Sequence, residues 1–77
     1  MENKQLRLLS NIGVGETVRL ARIDAGQGLK SRLTAMGLVP DVQITVVNNS
    51  HPGPFVISVK NSKMMLGRGI AHKIFVL

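Results

Sequence analysis

Short segments in which apolar and polar residues alternate constrain the fold of this chain more than any other feature of its sequence. A period of two is typical of a β-strand with one buried and one exposed face. Only one stretch is long enough for a helix, so the crossover helices that a parallel sheet requires are missing. The pattern therefore predicts about five short antiparallel strands, which we place at residues 17–23, 42–47, 55–60, 63–66 and 74–76.

One helix is predicted between the first two of these strands. Leu29, Leu33 and Met36 follow one another at i, i+4 and i+7, which places them on a single apolar stripe. Gly37 stands where a helix can end in a left-handed residue without steric cost. Pro40 then prevents the helix from continuing, so a helix of about two and a half turns is expected.

The length and the cysteine content limit the architecture. The chain has 77 residues, which corresponds to one small domain spanning 1–77, and it contains no cysteine for a disulfide or a thiolate metal site. Closing antiparallel strands into a barrel removes exposed strand edges. We therefore expect a mainly β fold class, a small SH3-like barrel of about five strands whose one short helix lies between the first two strands and covers one end.

The connections are predicted from turn residues. The composition of residues 48–54 is typical of a loop, and Asn61 and Ser62 indicate a two-residue hairpin turn. Residues 67–72 are rich in glycine and allow a single helical or 3₁₀ turn.

Exposed apolar residues indicate a binding surface. Met64 and Met65 are adjacent, so on a strand their side chains face opposite ways and one of them should lie outside the barrel. The segment 36–40 is more apolar than one short helix needs. Because methionine suits adaptable binding surfaces, we expect an exposed patch that contacts another protein.

The charge of the chain is strongly basic. Ten Lys and Arg residues oppose four Asp and Glu residues, for a formal net charge of +6. Such a balance favours an acidic protein face, a nucleic acid or an anionic membrane surface as the partner. Base stacking requires exposed aromatic residues, and the only aromatic residues, Phe55 and Phe75, both lie in predicted strands. We therefore do not expect a nucleic acid as the partner. Because the chain is basic, nucleic-acid binding stays as the alternative function.

No set of residues in the sequence is typical of an enzyme. The two histidines, His51 and His72, are not accompanied by a nucleophile motif, and the four acids are dispersed. Their spacing also indicates no metal site, so we expect no enzymatic activity, no cofactor and no bound metal. A metal-sensing role through His51 and His72 is a further alternative. The polar N-terminus and the short apolar runs predict a cytoplasmic protein without direct membrane insertion.

Three segments resemble the FeoA family, the small ferrous iron transport protein A. Residues 32–40, Arg-Leu-Thr-Ala-Met-Gly-Leu-Val-Pro, precede the alternating strand 42–46 and resemble the most specific signature of that family. Residues 9–16 and 66–76 resemble its opening turn and its closing stretch, and they occur in the right order. The family commonly has glycine after the proline, where this chain has Asp41, and a helix former where this chain has Gly69.

The resemblance implies both a fold and a partner. The fold is an SH3-like barrel that also occurs as the C-terminal domain of iron-dependent repressors. The function is assistance to a membrane ferrous iron transporter through protein–protein interaction with its cytosolic GTPase domain. The candidate contact residues are Arg32 and Arg68 for charge and Met36 and Leu38 for apolar burial.

Overall fold

In the computed structural model, which describes residues 5–50 and 52–77, the alternating segments are strands of one antiparallel sheet. The described residues form six strands, namely β1 Arg7–Leu8, β2 Thr17–Ile23, β3 Gln43–Asn49, β4 Phe55–Val59, β5 Ser62–Leu66 and β6 Ile74–Val76. A 3₁₀ helix, Leu9–Asn11, follows β1. Helix α1, Gln27–Ala35, connects β2 to β3, and helix α2, Arg68–Ala71, connects β5 to β6.

The strand order is β1-β6-β2-β3-β4-β5, so the last strand lies between the first two. The register shifts between Leu20 and Arg22 in β2, and again between Val46 and Asn48 in β3. Each extra residue bends and twists its strand, which lets a short sheet roll around its own apolar face. The prediction of a small, mainly β, SH3-like fold with one short helix between the predicted strands 17–23 and 42–47 is confirmed, with six strands where about five were predicted. Closure was expected to remove the strand edges, but among the described residues β1 and β5 do not pair, so the sheet keeps two edges.

The core lies on the concave side of this sheet. Alternate residues of every strand from β2 to β6 contribute to it, together with residues of α1, α2 and the 3₁₀ helix. No polar or charged residue within 5–50 and 52–77 is buried. The buried residues are Leu9, Ile12, Val18, Leu20, Ile23, Leu33, Leu38, Val42, Ile44, Val46, Phe55, Ile57, Val59, Leu66, Ala71, Ile74 and Val76.

The hairpin between β4 and β5 differs from the prediction by one residue. Its turn consists of Lys60 and Asn61, with φ angles of 51° and 68°, instead of Asn61 and Ser62. A two-residue turn that follows the sheet twist requires positive φ at both positions, and asparagine supplies one of them at little cost. Ser62 consequently pairs with Val59 as the first residue of β5.

Helix α1 ends in a Schellman motif. The N–H of Leu38 donates to the carbonyl of Leu33 at 3.0 Å, and the N–H of Gly37 donates to the carbonyl of Thr34 at 3.0 Å. Gly37 has a φ of 105°, and Leu33 and Leu38 are both buried beneath this turn. Met36 was predicted to lie on the apolar stripe, but it is 48% exposed because the helix ends at Ala35 and the chain turns away there.

Replacing Gly37 with alanine is expected to lower the free energy of unfolding by about 1–2 kcal/mol. A Cβ at this position meets no atom within 4 Å, so the cost arises from the left-handed backbone and not from a clash. Gly28→Ala is the matched control, since a Cβ there is also unobstructed and its φ is not positive. Alanine at 28 should stabilise the helix slightly. Urea denaturation of both variants checks this, and a loss of equal size in both would contradict it.

Asp41 is one of the non-glycine residues that adopt a left-handed backbone, with a φ of 70°. Its N–H donates to the carbonyl of Leu20 at 2.8 Å, which joins the start of β3 to β2. Glycine adopts this conformation without cost, and aspartate tolerates it better than most residues. Asp41 therefore meets the same backbone requirement as the glycine that the family commonly has after the proline.

Candidate protein-binding surface

Helix α1 leaves most of its surface exposed. Of its residues only Leu33 is buried, and Leu29 packs partly against the core. The helix carries Lys30 and Arg32 and no acidic residue. Arg32 and Met36 are both exposed and are four residues apart, so they lie on the same side of the helix end.

A groove of about 180 Å³ separates α1 from β2. Its floor is apolar, and Lys30 and Arg22 lie at its sides. The hydroxyl of Thr34 donates to the carbonyl of Lys30 at 2.8 Å, so this hydroxyl is already used within the helix. The lining residues are Leu20, Ala21, Arg22, Ile23, Lys30, Thr34, Leu38 and Pro40. We name this surface the α1 groove. Arg32 and Met36 do not line it; each is two residues from a lining residue of α1, Lys30 or Thr34, and so lies on the other flank of the helix.

The α1 groove is positively charged. The guanidinium carbon of Arg22 lies 4.8 Å from the centre of the Phe75 ring, a distance at which the ring attracts the cation and orients it. Among the described residues the ion pair joins Arg7 to Glu16 at 3.1 Å, so Arg22, Lys30 and Arg32 have no described carboxylate partner. An apolar floor with cations beside it is suited to an apolar side chain that has acidic neighbours.

The exposure of Arg22 follows from the bulge in β2. Val18 and Leu20 are buried, and continued alternation would bury residue 22 as well. The extra residue Ala21 reverses the alternation, so Ile23 is buried and Arg22 reaches the outer face. The groove was not predicted, although the spacing of three residues between Leu20 and Ile23 was a signal for the bulge.

Two of the four predicted contact residues, Arg32 and Met36, lie together on the exposed flank of α1 that faces away from the α1 groove, and they stay predictions. The prediction that Leu38 contacts a partner is wrong, because its side chain is 0% exposed. It lies under the Schellman turn and forms part of the groove floor and of the core. A side chain that is already buried in the free protein cannot supply additional apolar burial to a partner.

Arg68 stays a predicted contact residue, but its guanidinium is already engaged within the protein. Its Nη1 donates to Asn49 Oδ1 at 2.7 Å and its Nη2 donates to the carbonyl of Ser50 at 2.6 Å. Asn49 Nδ2 in turn donates to the carbonyls of Ser10 and Ile12, at 3.2 and 3.0 Å. The guanidinium carbon also lies 5.8 Å from the centre of the Phe55 ring. Arg68 therefore holds the end of β3 and the 3₁₀ helix against α2.

His72 lies near a serine and in no cluster of potential metal ligands among the described residues. His72 Nδ1 lies 2.8 Å from Ser10 Oγ, and no three His, Cys, Asp or Glu residues come together within the described ranges. His51 lies outside the described residues. Neither helix in the described part of the chain has the length or the apolar character to cross a bilayer.

Known proteins resemble this chain over most of its length. Residues 7–77 match the family model of the FeoA domain. The "putative Fe(2+) transport protein A" of Methanocaldococcus jannaschii is 44% identical over 62 residues, which cover 80% of this chain and 74% of that protein.

Solved structures share the fold. The crystal structure of an iron uptake regulatory protein (FeoA) is 30% identical, with a TM-score of 0.85 over 94% of this chain and 96% of that chain. A manganese-dependent transcriptional repressor is 23% identical, with a TM-score of 0.86 over 99% of this chain and 43% of that chain. The likeness to the repressor shows the fold alone.

Proposed function

The chain belongs to the FeoA domain family, and on that premise we propose that it acts in ferrous iron uptake by binding the GTPase domain of a membrane ferrous iron transporter. The similarity to a ferrous iron transport protein A supports the role in uptake. The proposal assigns a cytoplasmic location, the side on which the family resemblance places that GTPase domain. It assigns binding and no chemical reaction to this protein.

The observation that carries the proposal is the α1 groove. It combines an apolar floor with two cations, Arg22 and Lys30, that have no described carboxylate partner. The other flank of α1 adds Arg32 and the exposed side chain of Met36. Arginine and methionine are enriched at protein interfaces, whereas lysine suits the rim. A partner that presents an apolar side chain between carboxylates complements each of these features. The net charge of +6 would also accelerate encounter with an acidic face.

Charge reversal on α1, beside the groove, is expected to weaken binding. Arg32→Glu replaces an attraction with a repulsion, and we expect the affinity for the GTPase domain to fall by about tenfold or more. Met36→Ser should lower affinity with less effect on the association rate, because it removes apolar contact and leaves the charge unchanged. Lys73→Glu is the matched control, since it makes the same charge change at an exposed residue on the turn after α2.

Biolayer interferometry with the purified cytosolic GTPase domain, with and without guanine nucleotide, measures these affinities. No binding of the unaltered chain in either nucleotide state contradicts the proposal. A loss in Lys73→Glu equal to that in Arg32→Glu contradicts the assignment of binding to α1. Titration with DNA and RNA at low salt tests the alternative function, because phosphate contacts strengthen under that condition.

A further inference from the structure

Strand β5 forms one end of the sheet. Its residues Ser62 to Leu66 pair with β4, and no other strand follows β5 in the strand order of the described residues. No described backbone or side-chain hydrogen bond joins β5 to a segment other than β4. A strand in this position presents a row of free N–H and C=O groups along its outer side, which we name the β5 edge.

The hairpin geometry determines which backbone groups face outward. Lys60 and Asn61 form the turn, and Val59 pairs with Ser62 directly after it. In such a turn the closing pair exchanges hydrogen bonds, and hydrogen-bonded and non-hydrogen-bonded pairs then alternate along the strands. Ser62, Met64 and Leu66 therefore bond to β4. The N–H and C=O groups of Lys63 and Met65 point away from the sheet.

The side chains of the same two residues lie on the outer face of the sheet. Met65 is 70% exposed, and Lys63 is exposed two positions before it. Met64 packs against the core on the other face, as the prediction of opposite faces requires. The β5 edge thus offers one cation and one large apolar side chain next to two donors and two acceptors.

Charge specifies the partner. Residues 42–77 contain Lys60, Lys63, Arg68 and Lys73 and no aspartate or glutamate. A second copy of this chain is disfavoured at this edge, because each copy carries a net charge of +6 and would align lysine-bearing strands. An acidic segment removes this repulsion and pairs with Lys63.

We propose that the β5 edge binds an extended acidic segment of a partner protein as an additional strand. In that segment an acidic residue lies opposite Lys63, and an apolar residue two positions away lies opposite Met65, since alternate residues share a face. Main-chain hydrogen bonds then supply affinity, and the two opposed pairs supply selectivity. Lysine on an edge also discourages unselective pairing, so Lys63 excludes basic segments and admits acidic ones. The inference rests on the proposed protein-binding function and adds a second surface to it.

The test uses the full chain and a short capped peptide that carries glutamate and valine two residues apart, between threonines. Amide hydrogen exchange followed by NMR is the readout. In the free protein the amides of Lys63 and Met65 should exchange rapidly, whereas the amide of Met64 is protected by β4. With the peptide bound, we expect exchange at Lys63 and Met65 to slow about tenfold or more. A peptide with lysine in place of glutamate should not produce this protection.

Two variants separate strand addition from simple charge attraction. Lys63→Glu should weaken binding of the acidic peptide by about tenfold, and Lys73→Glu, the same charge change away from the edge, should have a much smaller effect. Met65→Pro removes one outward N–H and should abolish binding, provided that its NMR spectrum retains the hairpin.

Three outcomes overturn the inference: no peptide binding, binding without protection at Lys63 and Met65, or protection that grows with protein concentration in the absence of peptide. The last outcome would assign the edge to a second copy. None of these measurements uses the GTPase domain, so failure here leaves the proposed function to be decided by its own test.

Discussion

Phe55→Ala is expected to lower the free energy of unfolding by about 3–5 kcal/mol, the range for removing a large buried aromatic side chain. Phe55 is 0% exposed, and it heads the fully buried side chains when these are ordered by volume. It lies on β4 between its partners Asn49 on β3 and Leu66 on β5, so the strands on both sides limit any collapse of the resulting cavity. A chain of 77 residues has a total stability of about 4–12 kcal/mol. The variant should therefore lose at least about a quarter of that stability.

Phe75→Ala is the matched control for this variant. Phe75 is only partly buried, on β6, with the guanidinium of Arg22 over its ring. Removing its ring should lower the free energy of unfolding by about 1–2 kcal/mol, because some apolar burial and the cation–ring contact are lost. Urea denaturation followed by circular dichroism measures both variants. If Phe55→Ala and Phe75→Ala lowered the free energy of unfolding equally, the degree of burial would not determine the loss of stability.

Asn49→Asp is expected to lower the free energy of unfolding by about 2–3 kcal/mol, although the two side chains have almost the same shape. Asn49 Nδ2 donates to the carbonyls of Ser10 and Ile12. An ionised carboxylate has no proton to donate, so two hydrogen bonds are lost and a negative oxygen faces two carbonyl oxygens. The stronger attraction to Arg68 offsets part of this loss and does not restore either bond.

Asn61→Asp provides the matched control, because Asn61 lies in the exposed hairpin turn and aspartate accepts its left-handed backbone nearly as well as asparagine. Its stability should change by less than about 0.5 kcal/mol. A double-mutant cycle with Asn49→Ala and Arg68→Ala should give a coupling of about 1 kcal/mol or more. Additive losses in that cycle, or a neutral Asn49→Asp, would contradict the role assigned to this network.

The strands and the helix could be predicted because their signals are local. Strand β2 spans the seven predicted residues, although the bulge at Ala21 interrupts their alternation, and β6 spans the three predicted residues. Helix α1 is followed two residues after its end by Gly37, whose φ of 105° few other residues adopt. Strand β1 was missed, because its two residues pair with β6 and carry no periodicity of their own.

The candidate binding surface could be predicted only in part. Arg32 and Met36 were expected at a contact surface, and both are exposed on one flank of α1, beside the α1 groove. Leu38 and Arg68 were expected there as well, but their exposure depends on what the rest of the chain places over them. Leu38 is covered by the helix end, and Arg68 is bonded to Asn49, nineteen residues before it in the chain.

The sequence by itself determined the class of fold, the position of the helix, the family and the basic charge of the surface. Periodicity, glycine at a left-handed position and charge are properties of neighbouring residues or of composition, and they need no knowledge of distant contacts. Only the tertiary structure decided that Arg22 reaches the groove, that Arg68 holds the β3 end, and that Lys63 and Met65 lie on a free edge. Each of these depends on a bulge, a long-range hydrogen bond or the strand order, which arise when segments far apart in the chain pack together.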